Sequence, residues 1–261
     1  MEKKYKLTNE TINVNGFTLY RIEALKDFSD VKKGDKGGFV QSEDNLSHNG
    51  TCWVYNDAKV YGNAKVYEYA AVRDKALVYG KAEIYGLAKI YGYARVFGDV
   101  EVYGYAKVYG YANVYKDAKI SGNAKVYGDA EVYDNAMVYE NARIYGNATI
   151  YGNAIIYGNA KIYGNAIVCG NVLIYNKAEV HGDVKITGDA RVENDWDYIV
   201  FKNWWSSSRY FTWTRSNNMW SVGCFYGTGK ELIEKAYKDS ELSGREYERV
   251  VNYVESILKG R

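Results

Sequence analysis

Hydrophobic residues recur at every sixth position along most of this chain. Val or Ile occupies every sixth position from Val54 to Val192 without insertion or deletion, Ala usually lies two positions before it, and Tyr usually follows it. In the segment Ala–variable–Val–Tyr, successive side chains point to opposite sides. The pattern predicts four-residue β-strands with Ala and Val inside, because a six-residue period drifts around the 3.6-residue turn of a helix.

The two remaining positions of each hexad predict a corner. Gly is most common in the first and Asn or Asp in the second, and these residue types tolerate positive φ. The variable position indicates how many corners close one coil, because similar residues recur there every 18 residues. Examples are the basic run Lys89, Lys107, Lys125, Arg143 and Lys161 and the apolar run Met137, Ile155 and Leu173. We therefore expect three-sided coils, about eight in all.

The stretch "IYGNATIYGNAIIYGNAKIYGNA", residues 144–166, resembles the hexapeptide-repeat signature, in which turn residues and a small residue follow each aliphatic residue. Proteins with this signature form left-handed parallel β-helices, so the resemblance implies a mainly β chain with that winding. We place a small N-terminal β cap at 1–41, the hexapeptide-repeat solenoid at 42–197 and a Trp-rich α+β module at 198–261. A solenoid needs such caps, because its end coils otherwise present open strand edges.

The N-terminal segment predicts a β-hairpin that leads into the coils. Asn15-Gly16 in "TINVNGFTLYRI" is a typical two-residue hairpin turn. The residues after the hairpin resemble the YdcK-like hexapeptide proteins, through Ala24, Leu25, Asp27, Phe28, Asp30, Val31, Gly34, Gly37, Gly38, Cys52 and Trp53. Proteins of that kind often carry a transferase label, so the resemblance implies that activity as an expectation.

The repeat ends at Trp196, whose indole does not fit an inward Ala position. The following segment predicts strands with a turn at residues 216–218, and then two helices. Each helix start has the spacing of a capping box, Thr228 with Glu231 and Ser243 with Glu246. The segment "MWSVGCFYGTGKELIEKAYKDSELSG" resembles a terminal module of phage and prophage proteins, which implies a phage-type accessory role.

Charge, hydropathy and cysteine content argue against binding driven by overall charge, against secretion or a membrane span, and against a disulfide or zinc framework. Basic residues number 34 and acidic residues 32, so a basic patch would be local. The N-terminus lacks the apolar core of a signal peptide and no 18-residue apolar run occurs, so we expect a cytoplasmic chain without membrane contact. Three widely spaced cysteines form neither a disulfide framework nor a zinc motif. We expect no metal and no cofactor, and we expect Cys224 to be a buried thiol.

Acyl transfer is the commonest activity among the proteins that the repeat resembles. Such enzymes usually add a histidine base near a subunit interface and a loop extruded from a coil. No loop interrupts the hexads of this chain, and His181, in an outward Tyr position, is a weak catalytic candidate. A solvated surface histidine is the commoner outcome for such a residue.

Outward positions are free to carry a function. On one side of the coils, basic residues stack beside tyrosines. Like charges about 4.8 Å apart repel, so stability alone does not favour this arrangement. The candidate ligand-binding residues are Lys89, Lys107, Lys125, Arg143, Lys161, Tyr91, Tyr109, Tyr127, Tyr145 and Tyr163. The competing interpretation is a solvated side that keeps strand edges from aggregating.

Apolar outward residues predict an interface, because contiguous apolar surface is usually covered. The candidates are Met137, Ile155, Leu173, Ile167, Tyr157 and Tyr175 on the late coils, and Trp204, Trp205 and Trp213 in the C-terminal module. We expect another subunit, a protein partner or residues 198–261 to cover the late coils. For the tryptophans, core packing of a small module is the competing interpretation.

The sequence favours a non-enzymatic β-solenoid that acts as a scaffold or binding protein, with a phage-type accessory role, through protein or anionic-ligand binding. Two alternatives stay open. One is a hexapeptide-repeat acyltransferase, and the other is a nucleic-acid-binding solenoid that uses the Lys/Tyr side.

Overall fold

The computed structural model describes residues 2–259. A β-hairpin opens the fold: β1 (Tyr5–Val14) pairs antiparallel with β2 (Phe17–Ala24), and β2 pairs with β3 (Lys36–Val40). The predicted hairpin turn is confirmed, since Asn15 and Gly16 adopt φ values of +52° and +86°. A short 3₁₀ helix, Glu43–Asn45, precedes the first strand of the regular repeat.

The coils consist of short parallel strands at six-residue spacing. In chain order they are β4 Trp53–Val54, β5 Lys59–Val60, β6 Lys65–Val66, β7 Ala71–Val72, β8 Leu77–Gly80, β9 Glu83–Ile84, β10 Lys89–Ile90, β11 Arg95–Gly98, β12 Glu101–Val102, β13 Lys107–Val108, β14 Asn113–Lys116, β15 Lys119–Ile120, β16 Lys125–Val126, β17 Glu131–Val132, β18 Met137–Val138, β19 Arg143–Ile144, β20 Thr149–Ile150, β21 Ile155–Ile156, β22 Lys161–Ile162, β23 Ile167–Val168, β24 Leu173–Ile174, β25 Glu179–Val180, β26 Lys185–Ile186 and β27 Arg191–Val192.

Most of these strands contain two residues rather than the predicted four. The corner explains the difference, because it uses the flanking Tyr and Ala as the ends of a turn. Around one corner, for example, the Ala142 N–H donates to the Tyr139 carbonyl at 3.3 Å. The residue between them that bends the chain, Glu140, has a φ of +57°.

The strands stack into three sheets, which form three faces of a parallel β-solenoid. The hairpin face continues from β3 through β5, β8, β11, β14, β17, β20, β23 and β26; the basic face contains β4, β7, β10, β13, β16, β19, β22 and β25; the third face contains β6, β9, β12, β15, β18, β21, β24 and β27. The three-sided coil is therefore confirmed. Left-handed winding stays a prediction from the resemblance.

The solenoid has about nine turns, slightly more than the predicted eight. The additional turn arises because the inward register begins before the strict repeat. Val40 pairs with Val60 on the hairpin face, and Leu46 forms a bridge with Val66 on the third face. Inward Ala, Val and Ile residues fill the interior and are almost completely buried, as predicted.

The corners explain why the Gly-Asn pair recurs. Gly146 has a φ of +69°, and a Cβ on it would lie 3.0 Å from the Gly164 nitrogen of the next coil. The asparagine amides connect successive coils, since Asn147 Nδ2 donates to Asn165 Oδ1 at 3.0 Å. Each corner thus needs positive φ in its first residue, and corners with Asn in the second position gain a hydrogen bond from its amide.

The C-terminal module begins where Trp196, in the 3₁₀ helix Asp195–Asp197, leaves the coil with 61% of its surface exposed. Four antiparallel strands follow, then two helices: β28 Tyr198–Lys202, β29 Tyr210–Thr214, β30 Met219–Val222, β31 Phe225–Gly227, α1 Gly229–Asp239 and α2 Glu241–Lys259. The Thr228–Glu231 capping box is confirmed. The Ser243–Glu246 box is wrong, because α2 begins earlier and the Ser243 N–H donates to Ser240 Oγ at 3.1 Å.

The module covers the open end of the solenoid. Its side chains reach backbone groups that no further coil can pair: the Arg191 N–H donates to Ser216 Oγ at 2.7 Å, and the Lys185 N–H donates to Thr212 Oγ1 at 3.3 Å. On the basic face, the Tyr198 hydroxyl donates to the Glu179 carbonyl at 2.9 Å. All three terminal strands therefore receive a contact from the module.

Candidate functional site

The basic face brings the five predicted cations into one row. Strand register pairs Lys89 with Lys107, Lys107 with Lys125, Lys125 with Arg143, and Arg143 with Lys161. Neighbouring strands lie about 4.8 Å apart, so the row extends over roughly 19 Å. The sequence spacing thus translates directly into a linear array of positive charge.

Only one end of this row carries an ion pair. Lys161 Nζ lies 2.5 Å from Glu179 Oε1, and this hydrogen bond lowers the pKa of the Glu179 carboxyl and raises the pKa of Lys161. Among residues 2–259, the other four cations, Lys89, Lys107, Lys125 and Arg143, form no ion pair. On the third face, by contrast, Lys119 Nζ lies 2.6 Å from Glu101 Oε1. The basic face therefore holds positive charge that the protein does not neutralise locally.

The tyrosines of the basic face form a continuous stack beside the cations. Ring centroids from Tyr91 through Tyr109, Tyr127, Tyr145 and Tyr163 are 4.7–5.0 Å apart and nearly parallel. The inner rings are covered on both sides by their neighbours, so this stack offers ring edges and hydroxyls to solvent. Burial raises the pKa of Tyr91 and Tyr109, so both hydroxyls carry their protons at neutral pH and can donate hydrogen bonds.

His181 ends that stack. Its ring lies 5.0 Å from the Tyr163 ring and is exposed. Within the part of the chain that the structure describes, no side chain forms a hydrogen bond with its ring nitrogens. The histidine is therefore not held by an orienting partner of the kind that general bases usually have.

The apolar candidates form a separate row on the third face. Met137, Ile155 and Leu173 are paired in register and half-buried. Beside them the rings of Tyr139, Tyr157 and Tyr175 stack at 5.2–5.3 Å, whereas Ile167 lies on the hairpin face. The hydrogen bonds from the C-terminal module go to the last coil. Partner binding by this row stays a prediction.

The three candidate tryptophans of the C-terminal module lie in different surroundings. Trp213 is buried and its Nε1 donates to Asn218 Oδ1 at 2.8 Å. Trp205 is half-buried, and its ring meets the Tyr247 ring edge-on at 5.0 Å. Trp204 is 72% exposed. The module core thus uses Trp213 and most of Trp205, and Trp204 alone of the three is freely accessible.

The module also contains a cavity of about 720 Å³ between the β30–β31 turn, the loop after β28 and helix α1. Arg209, Lys235 and Asp239 line it with polar groups, and Leu232 and Phe225 provide apolar surface. Cys224 lies at this cavity and is exposed, so the expectation of a buried thiol is wrong. The tight turn at Gly223, with a φ of +56°, holds the thiol outside the core.

The sequence interpretation missed a set of exposed residues beside the basic face. The second corner position is polar in most hexads, but five coil residues at this position are large, apolar or aromatic, and exposed: Tyr69, Leu87, Tyr93, Tyr105 and Tyr111. The sequence shows these residues as departures from Asn or Asp at the second corner position. Their position beside the basic face can be recognised only after each corner has been assigned to the two faces that it joins.

No group of three or more His, Cys, Asp or Glu residues within 2–259 is arranged to hold a metal ion. No helix of those residues is both long enough and apolar enough to cross a membrane.

Comparison with known families supports a repeat protein. Residues 142–158 match the family model described as the YdcK β-solenoid repeat. The match covers about one coil and lies in the regular repeat, not in the N-terminal residues that suggested the same resemblance. The curated proteins give no match to the chain. The chain is thus a β-solenoid repeat protein, and the phage-type origin of its C-terminal module stays a prediction.

Proposed function

We propose that this chain is a non-enzymatic binding protein whose basic face holds a linear polyanion. The observation that carries the proposal is a row of four cations that have no carboxylate partner among residues 2–259, namely Lys89, Lys107, Lys125 and Arg143. Like charges on adjacent strands repel, and the third face relieves such repulsion with an ion pair. A ligand with regularly spaced negative groups would relieve it on the basic face.

The tyrosine stack supports the same proposal. Its hydroxyls run parallel to the cations, one for each strand, and they can donate hydrogen bonds to anionic oxygens. The face is flat and extended, with no enclosing loop among the described residues. This shape suits a polymer that lies along the coils better than a small molecule, which usually needs a concave site.

The scaffold and acyltransferase interpretations have less support. Met137, Ile155 and Leu173 give the scaffold an apolar row, but no partner is indicated for it. The acyltransferase depends on His181, whose ring has no orienting hydrogen bond within residues 2–259. Both stay predictions that follow from the repeat family.

Reversing the charge of the row should abolish polyanion binding. We expect the wild-type protein to bind heparin and a fluorescein-labelled 20-nucleotide oligo-dT, measured by anisotropy at 50 mM salt. With four phosphates neutralised, oligo-dT affinity should fall about 50-fold between 50 and 200 mM salt. The triple variant Lys107→Glu, Lys125→Glu, Arg143→Glu should lose at least about 100-fold for both probes at 50 mM salt.

A matched control distinguishes the effect of charge on the basic face from the effect of overall net charge. The triple variant Lys59→Glu, Lys65→Glu, Arg95→Glu changes the net charge equally, at the same strand position on the other two faces. It should keep binding within a few-fold of wild type. Equal losses in both triple variants, or no binding by the wild type, would contradict the proposal.

A further inference from the structure

The corner residues beside the basic face depart from the pattern of the repeat. Elsewhere in the coils the second corner position holds Asn, Asp or Lys. The exceptions are Tyr69, Leu87 and Tyr105 on the corner before the basic face, and Tyr93 and Tyr111 on the corner after it. The corner between the hairpin face and the third face has no such exception. The aromatic residues therefore border the basic face on both sides.

These side chains are accessible. Tyr105, Tyr111 and Tyr69 have 61%, 59% and 57% of their surface exposed, and they are among the most exposed large side chains of the coils. They border β7, β10 and β13, so the aromatic rows and the cations Lys89 and Lys107 share the same coils. The result is a basic strip with an aromatic edge on each side.

The rings at the corners are less covered by other rings than the inner rings of the stack. Among the described residues, Tyr69 and Tyr105 have no ring or cation packed against them. Tyr111 stacks with Tyr93 at 5.0 Å on one side only, and Lys75 lies 5.5 Å from the Tyr93 ring centroid. Tyr69, Tyr105 and Tyr111 thus each keep at least one face that no other ring or cation covers, and all three are more than half exposed.

Stability does not explain these tyrosines. Asn at the same position forms amide hydrogen bonds between coils, such as Asn153 Nδ2 to Asn171 Oδ1 at 2.9 Å. An exposed ring forgoes that bond and leaves apolar surface in water. The five exceptions also occur together in neighbouring coils beside one face.

From this arrangement we infer that the polyanion is a single-stranded nucleic acid, whose bases stack on Tyr69, Tyr105 and Tyr111 while its phosphates follow the cations. The inference rests on the proposed function and identifies the polymer. A basic path combined with open aromatic faces is the usual composition of single-strand binding surfaces. A duplex keeps its bases stacked inside and would not use the corner rings in this way. Packing of polysaccharide sugar rings on the same tyrosines is the competing outcome, and the heparin measurement below tests it.

The test replaces the two most exposed corner rings. In Tyr105→Asn, Tyr111→Asn each new residue is the one that other corners already contain, so the coils should keep their thermal stability. Oligo-dT affinity should fall about 10- to 100-fold, because base–aromatic stacking contributes strongly to single-strand binding. Heparin affinity should stay within about two-fold of wild type. The variant Tyr105→Phe, Tyr111→Phe, which keeps both rings, should bind oligo-dT like the wild type.

The outcomes distinguish this inference from the proposed function. Selective loss of oligo-dT binding in the Asn variant, restored in the Phe variant, supports the inference. Unchanged oligo-dT binding in the Asn variant, or parallel losses of oligo-dT and heparin, overturns it and leaves the polyanion proposal standing. Preference of the wild type for heparin or for a duplex of equal length also overturns it. If the wild type binds neither oligo-dT nor heparin, both this inference and the polyanion proposal are overturned.

Discussion

Replacing Ile144 by Ala should lower the free energy of unfolding by about 2–5 kcal/mol. Ile144 is fully buried near the middle of the solenoid, and its strand neighbours in the coils on either side are Val126 and Ile162. Backbone hydrogen bonds link each coil to the next, so the walls cannot move inward to fill the space left by the three lost side-chain carbons. The loss should therefore fall in the upper part of the range for buried aliphatic residues.

A graded series on the same strand tests this expectation by urea denaturation. Ile144→Val removes one methyl group and should cost about 0.5–1.5 kcal/mol. Arg143→Ala, at the adjacent exposed position, should change the unfolding free energy by no more than about 0.5 kcal/mol. A similar loss at positions 143 and 144 would mean that the alternation of inward and outward residues does not determine stability here.

Removal of the C-terminal module should convert the chain into an aggregating protein. A chain that ends at Glu193 exposes the outer edges of β25, β26 and β27, because the contacts from Thr212, Ser216 and Tyr198 are lost. Each bare edge offers unpaired backbone groups to another chain. We expect a shift from the elution volume of the full-length protein to large species in size-exclusion chromatography at micromolar concentration.

Deletion of one internal coil is the matched control. Residues 139–156 span one full 18-residue period, so their removal joins equivalent positions and keeps both caps. That variant should elute as the full-length protein does, apart from its smaller mass, with a lower unfolding free energy because one interface between coils is lost. Aggregation of the coil-deleted protein, or normal elution of the truncated one, would contradict the role of the cap.

The regular part of the fold could be predicted because every coil packs the same kinds of side chain into the same narrow interior. A narrow interior admits only small or branched residues, so Ala148 and Ile150 reveal their inward direction in the sequence itself. The length of the strands could not be predicted, because the turn takes its end residues from the strand. The start of α2 was also missed, because Ser240 and Ser243 are equally plausible caps in the sequence.

The candidate site was predictable only in part. The 18-residue spacing placed Lys107 beside Lys125 correctly. Whether a carboxylate neutralises such a row depends on side chains from adjacent corners and coils, and in the described part of the chain Glu179 alone forms an ion pair with it. The open rings of Tyr105 and Tyr111 were missed because a corner residue belongs to neither side of a strand, and strand alternation says nothing about its direction.

The coil-to-coil hydrogen bonds also determine how the molecule responds to mechanical force. In the regular coils, the backbone N–H of a residue donates to the carbonyl of the residue just before its equivalent in the next coil, as with Asn147 N–H and Gly164 O at 2.8 Å, so these bonds run along the long axis. Under tension applied between the two ends, the bonds between one pair of neighbouring coils should break before those of the next pair. Each detached coil releases 18 residues of chain, about 60 Å when extended. Pulled from its ends, the solenoid should lengthen in nearly equal steps at nearly equal force.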